Sequence, residues 1–419
     1  MQSHHSFGVL VAAALLVVPP AASARDVRVA EGIDVTVAVH AAAGDRLILW
    51  LPSGIEGAEP DEVQAEKIRT LGIEVWRADL FGARFLPALE SSLEQVPEKD
   101  IGALIDAARQ HGKRVTLLAS ASAGLLALRG AQAWQRAHPG VTALDGVILI
   151  HPNLYLGPPE AGREPEFHPQ VTNTNLSVHI VQPQKSPWHF RLDSLQSALE
   201  RGGARVTLQL LPEVRDRYYF RADATDAENV EAARFPEVIN RAIDNLRGTP
   251  FVRSPRGASV ANTVATQTRQ RGLQPYRGSP HPPALQLADL AGGFHDLKQL
   301  RKRVVLVNFW ASWCPPCVHE MPSMQRLKEK LAGRPFTILA VNMAESSKDV
   351  RAFLNKSAVD FPVLMDRDGA VLKRWKVFVF PTSFVVDTDG HIRFGVVGEV
   401  EWDSPEVMAK LIDLFPASP

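Results

Sequence analysis

The chain is short of cysteine, has no excess charge of either sign, and has no long apolar run beyond its first two dozen residues. Each shortage excludes something. Lys+Arg and Asp+Glu balance at 46 each, so no basic field exists to hold nucleic acid or an anionic membrane face. Arg301-Lys302-Arg303 and Lys328-Glu329-Lys330 read as solvated faces rather than binding patches. After Arg25 no apolar stretch has the length of a bilayer crossing. Two cysteines in 419 residues are too few for a disulfide framework, and both sit in one Cys-Pro-Pro-Cys. A closed zinc site needs four ligands. Haem c attachment needs His directly after the second Cys, where Val318 stands. No metal and no cofactor beyond the cysteine pair itself is expected.

What is present divides into a leader and three regions. Gly8 to Val18 is an apolar run of signal-peptide length, and Ala22-Ser23-Ala24 reads as a small-residue cleavage site. Residues 1–24 are thus expected to be an export signal, leaving a soluble periplasmic or otherwise exported protein. Residues 25–247 alternate strand-like and helix-like segments. Residues 248–280 are rich in Arg, Ser, Gln, Thr, Gly and Pro and read as a flexible linker. Residues 281–419 form a second α/β unit.

In the first unit, strands are expected at Asp34 to His40, Arg46 to Leu51, Ile73 to Trp76, Arg114 to Ala119, Gly146 to Ile150, Ser177 to Val181 and Arg205 to Leu211. Helices are expected at Asp61 to Leu71, Lys99 to His111, from about Ala123, and as one long element over Asp226 to Leu246. That alternation predicts a mostly parallel sheet covered on both faces. In the second unit Val304 to Phe309 is a central strand. A helix from Cys314 is expected to be interrupted at Pro322. Further strands lie at Thr337 to Asn342, Phe384 to Asp387 and Ile392 to Val397, with helices at Lys348 to Asn355 and Ser404 to Leu414.

Trp313-Cys314-Pro315-Pro316-Cys317 carries the clearest chemistry. Disulfide exchange needs an exposed, easily ionised thiol. A strand running into a helix places Cys314 at the helix N-terminus, where free N–H groups and the dipole favour a thiolate. Cys317 follows one turn on. Pro315 and Pro316 suit the first turn, where their missing N–H groups cost little. They also remove donors that would hold the thiolate, which leans the pair toward a reductant. A purely structural bridge three residues long would restrict the unfolded chain very little.

Three stretches carry a family resemblance: Val305 through Cys317, Glu320-Met321-Pro322, and Phe380-Pro381-Thr382-Ser383-Phe384-Val385-Val386-Asp387 followed by Asp389-Gly390. Residues 283–415 resemble the TlpA/ResA-like branch of the thioredoxin family, which are exported thiol–disulfide oxidoreductases. The resemblance implies Cys314 as attacking thiol, Cys317 as resolving thiol and Pro381 as a cis-proline. It also leaves the Phe380 backbone free to pair with a client strand. Related cytoplasmic thioredoxins have a buried Asp where this chain has Asn308. Asn takes no proton, so Glu320 becomes the candidate acceptor beside Cys317. Trp313 is a candidate cover for the disulfide. Val379 and Phe380 depart from the small residues usual before the cis-proline, which puts partner choice in question.

Residues 46–247 resemble an α/β-hydrolase. Strand Val115–Leu118, the turn Ala119-Ser120-Ala121-Ser122-Ala123-Gly124 and the following helix resemble a nucleophile elbow. Ser122 is the candidate vestigial nucleophile. Shifted by one, the register puts Ala121 there and no nucleophile remains. Gln182-Pro183-Gln184-Lys185 stands where an acid is expected. No His lies between His189 and His281, where a base is expected. Without a base a Ser hydroxyl is a weak nucleophile.

Three functions compete. The first is a reductase of protein disulfides, supplied with electrons by another protein such as a membrane thiol conduit, because the chain has no third Cys. The second is an esterase with a thioredoxin accessory. The third makes the first unit an adaptor that binds a client or ligand. Cytochrome c maturation and repair of mis-oxidised exported proteins are roles the resemblance permits.

Overall fold

A computed structural model describes residues 22–54, 58–141, 144–157, 160–247, 272–357 and 359–416. The apolar run of the expected leader and most of the expected linker lie outside these residues.

The first unit is built on an eight-stranded sheet of order β1-β2-β4-β3-β5-β6-β7-β8. Its strands are β1 (Ser23–Ala30), β2 (Ile33–His40), β3 (Arg46–Trp50), β4 (Ile73–Ala78), β5 (Arg114–Ser120), β6 (Leu144–Ile150), β7 (Ser177–Lys185) and β8 (Arg205–Arg215). β1, β2 and β4 run antiparallel in turn at one edge, and every pair from β4 through β3 to β8 is parallel. Helices α1 (Ala58–Arg69), α2 (Glu98–Gln110), α3 (Ala123–Ala137), α4 (Pro169–Asn173), α5 (Leu192–Gly202), α6 (Asp226–Ala233) and α7 (Phe235–Arg247) complete it. Successive residues of β3 enter opposite cores. Leu47 and Leu49 join α2, α3 and α5 on one face, while Ile48 and Trp50 join α1 and α7 on the other. A strand buried on both sides is why its sequence is a continuous apolar run.

Three expectations need correction here. β1 was not anticipated, and it includes Ser23 and Ala24 of the expected leader, which pair with Val39 and Ala38. The single helix expected over Asp226 to Leu246 is two helices. Pro236 lacks the N–H that a continuous helix would need at that point, and the chain breaks at Arg234. The linker ends earlier than residue 280. Gln274–Pro275 is strand β9, paired with Gly395 and Phe394, and Leu273 is fully buried in the second core.

The second unit adds β10 (Gln286–Ala288), β11 (Phe294–Asp296), β12 (Val304–Trp310), β13 (Phe336–Met343), β14 (Val363–Asp366), β15 (Thr382–Val386) and β16 (Ile392–Val397). Its helices are α8 (Pro315–Lys330), α9 (Ser347–Leu354), α10 (Ala370–Arg374) and α11 (Pro405–Ile412). The six-stranded sheet has order β14-β13-β12-β15-β16-β9, parallel between β12 and β13 and antiparallel between β12 and β15. α8 runs through Pro322 without interruption, contrary to expectation. No helix among the described residues is long and apolar enough to cross a membrane.

Candidate active site at the head of α8

β12 is buried along its whole length and ends at Trp310. The chain turns through Ala311, Ser312 and Trp313 before α8 begins. Glu345 fixes that turn: its carboxylate accepts from the Ser312 N–H at 2.7 Å and from the Ser312 hydroxyl. Asn342 on β13 orients the same carboxylate at 2.6 Å. Sequence reasoning missed Glu345, because it reaches Ser312 from the loop after β13, 33 residues away.

Cys314 is the N-cap of α8, and its sulfur accepts from the Cys317 N–H at 3.3 Å. The two sulfurs are bonded, with Cα atoms 5.3 Å apart. Cys314 is 5% exposed and Cys317 is 1% exposed, so the first residue of the pair lies nearer the surface. Pro315 and Pro316 occupy the first turn as expected. The Phe380–Pro381 bond is cis. The Phe380 ring meets Trp313 edge to face at 5.8 Å between centroids, so these two residues come together beside Cys314.

Glu320 lies a turn below Cys317 and is 2% exposed. Its carboxylate receives Asn308 Nδ2 at 2.6 Å, the Val400 N–H at 3.1 Å and the Trp402 indole N–H at 3.2 Å. Burial nevertheless wins over these three donors and pushes its pKa up to about 8. Asn308 also donates to Ser383 Oγ at 2.9 Å, which ties the central strand to β15 directly after the cis bond. Trp402 and Val400 were not anticipated. They approach from a loop 80 residues downstream, and nothing local in the sequence announces them.

A strand-to-helix Cys-Pro-Pro-Cys, a buried carboxyl behind it and a cis-proline loop beside it, all on this sheet, define a thioredoxin-fold thiol–disulfide oxidoreductase. Comparison with known proteins agrees. The Redoxin family model matches residues 277–411. The thiol-disulfide oxidoreductase ResA of Geobacillus kaustophilus is 36% identical over 141 residues, covering 34% of this chain and 80% of that protein. The thioredoxin-like protein YneN of Bacillus subtilis is 36% identical over 114 residues, covering 26% and 66%. A solved putative thiol:disulfide interchange protein DsbE from Chlorobium tepidum is 28% identical with a TM-score of 0.31, over 32% of this chain and 96% of that one. The chain belongs to the TlpA/ResA-like family of thiol–disulfide oxidoreductases.

The first unit presents a second constellation. The strained position of the β5–α3 turn belongs to Ala121 (φ 48°), whereas Ser122 has ordinary helical angles. The positive-φ position of this turn thus carries a methyl group and not the Ser122 hydroxyl. Ser122 Oγ donates to the Glu90 carboxylate. At the end of β8, Asp216 accepts from Ser186 Oγ at 3.0 Å, and burial pushes it up to about pKa 7. His151, 2% exposed at the end of β6, is held neutral by burial, down to about pKa 3. His189 lies in a short turn after β7, with its ring against Phe190.

Proposed function

We propose that this chain is an exported reductase of protein disulfides working through Cys314 and Cys317, with the first unit as a client- or ligand-binding module. The observation that carries it is Cys314 at the head of α8, the more exposed residue of the pair, flanked by the Trp313–Phe380 contact and the cis bond.

In this reading the Cys314 thiolate attacks one sulfur of a client disulfide. A new S–S bond forms, and the other client sulfur leaves as a thiolate. Cys317 then passes its proton to the Glu320 carboxylate and attacks the Cys314 sulfur. The client leaves with its second thiolate, reduced by two electrons, and the Cys314–Cys317 disulfide is left behind. An external dithiol, plausibly a membrane thiol conduit, must reduce that bridge, since the chain has no third cysteine. No metal or organic cofactor enters these steps. The Phe380 backbone, beside the cis-proline, offers strand pairing to the client. Export rests on the Gly8 to Val18 run and its Ala-Ser-Ala sequence.

The purified protein should catalyse dithiothreitol-driven insulin reduction, and Cys314→Ser should abolish it; equal rates in that variant would defeat the reading. Cys317→Ser should accumulate mixed disulfides with its clients. The esterase alternative has less support, since Ala121 and not Ser122 holds the positive-φ position of the β5–α3 turn. Turnover of p-nitrophenyl butyrate that disappears in Ser122→Ala would restore it.

A further inference from the structure

A cavity of about 840 Å³ lies between the two units. Its floor is the strand-end region of the first sheet, at Ala121, His151 and Asp216, and its wall from the second unit is Val379 and Val397. Val379 directly precedes Phe380, and Val397 pairs with Thr382 directly after the cis-proline. The cavity therefore opens beside the loop that flanks the cysteine pair.

Its floor is polar and incompletely satisfied. His151 Nε2 and Asp216 Oδ1 are buried with no hydrogen-bond partner among the described residues. Neither atom has a partner from the described chain, so each can still take a hydrogen bond. The N-terminus of the 15-residue helix α3 faces the same space through Ala121 and Ser122. Three of the eight described non-glycine residues with positive φ, Ala121, His151 and Arg217, line this one cavity. Strained backbone of this kind concentrates where a ligand is held. Trp188 and Leu125 add apolar wall.

We propose that this cavity is a subsite for an extended stretch of the client polypeptide flanking the disulfide that is reduced. The proposal rests on the reductase reading above. A client strand paired with the Phe380 backbone advances about 3.3 Å per residue, so a few residues carry it past Val379 into the cavity. Peptide groups bring both donors and acceptors. They can accept from the helix N-terminus and, with a small shift of the side chains now covering those atoms, pair with His151 Nε2 and Asp216 Oδ1, while side chains meet Trp188 and Leu125. A volume of this size falls in the range of ligand pockets and holds several residues. The first unit thereby selects polypeptide disulfides over small ones.

The test uses the full chain and two substrates: a synthetic peptide disulfide with several residues on either side of the bridge, and cystine, which has none. The wild-type protein should show a KM for the peptide about tenfold or more below that for cystine. Leu125→Trp, which fills the cavity, and His151→Leu, which removes the unpaired nitrogen, should each erase most of that preference. A preference that survives in both variants, or is absent from the wild type, overturns the proposal while leaving the reductase reading intact. If the wild type reduces neither substrate, the reductase reading fails. Calorimetric binding of the same peptide to the wild type and to Leu125→Trp then decides the cavity: tighter binding by the wild type supports the subsite, and equal or no binding rejects it.

Discussion

Glu320 shows how burial makes one carboxyl a stronger base. A carboxyl with an ordinary acidity would be too weak a base to take a proton from a thiol. Burial raises it to about pKa 8, close to the range of a cysteine thiol. The sequence disclosed the residue through its place three positions after Cys317. It did not disclose the cage, because Asn308, Val400 and Trp402 come from three separate segments. The same group makes folding pH-dependent. Below the ordinary value of 4.5 both folded and unfolded chains hold the proton. Between 4.5 and about 8 the unfolded chain releases it and the folded chain keeps it. Stability therefore falls as pH rises across that window, by an amount on the order of a few kcal/mol. Glu320→Gln should flatten that slope in denaturant titrations at a series of pH values. It should also remove the rise in insulin-reduction rate as pH approaches 8. Ser122 is the opposite case: its sequence setting pointed to chemistry, but the strained angle that would expose a nucleophile falls one residue earlier, on Ala121.

At the scale of elements, the apolar strands of both sheets were readable because burial on two faces leaves an unmistakable run. Boundaries and short pieces were not. β14 and α10 are too short to show a period. β9 is two residues within a polar, Gly- and Pro-rich stretch, and only its pairing with β16 makes it a strand. The two helix prolines went opposite ways. Pro236 sits at the start of α7, where a missing N–H is harmless, and so separates it from α6. Pro322 sits inside α8 and is carried by the packing of Met321, Met324 and Leu327 into the core. That packing outweighs roughly 3 kcal/mol of helix penalty. Helices α2 and α3 meet at Gly130, where an added Cβ would stand 2.3 Å from Ile101 Cβ. Gly130→Ala should destabilise the first unit by about 1–3 kcal/mol, seen as a lowered midpoint in its thermal unfolding, because the two backbones cannot separate without opening the core.

At the scale of the whole molecule, the order of the parts was legible from composition and motif, but their contact was not. Arg191, in the turn before α5, sits 4.3 Å over the ring of Phe378 and donates to the Lys373 carbonyl at 3.3 Å. Tyr155 approaches the same ring at 6.1 Å. None of these residues lies in a recognisable motif. Their pairing depends on a docking that no single-unit pattern encodes. Cation–π contacts of this kind contribute about 0.5–2 kcal/mol. Arg191→Ala should loosen the two units, seen as faster proteolysis of the segment joining them and a separation of their melting transitions. Phe378 is only 3% exposed in the intact chain, and part of its cover comes from the other unit. Cutting the chain at the joining segment would thus leave a bare aromatic surface three residues from the cis-proline. The liberated C-terminal unit should self-associate in light scattering, because the ring that Arg191 and Tyr155 approach would then meet solvent.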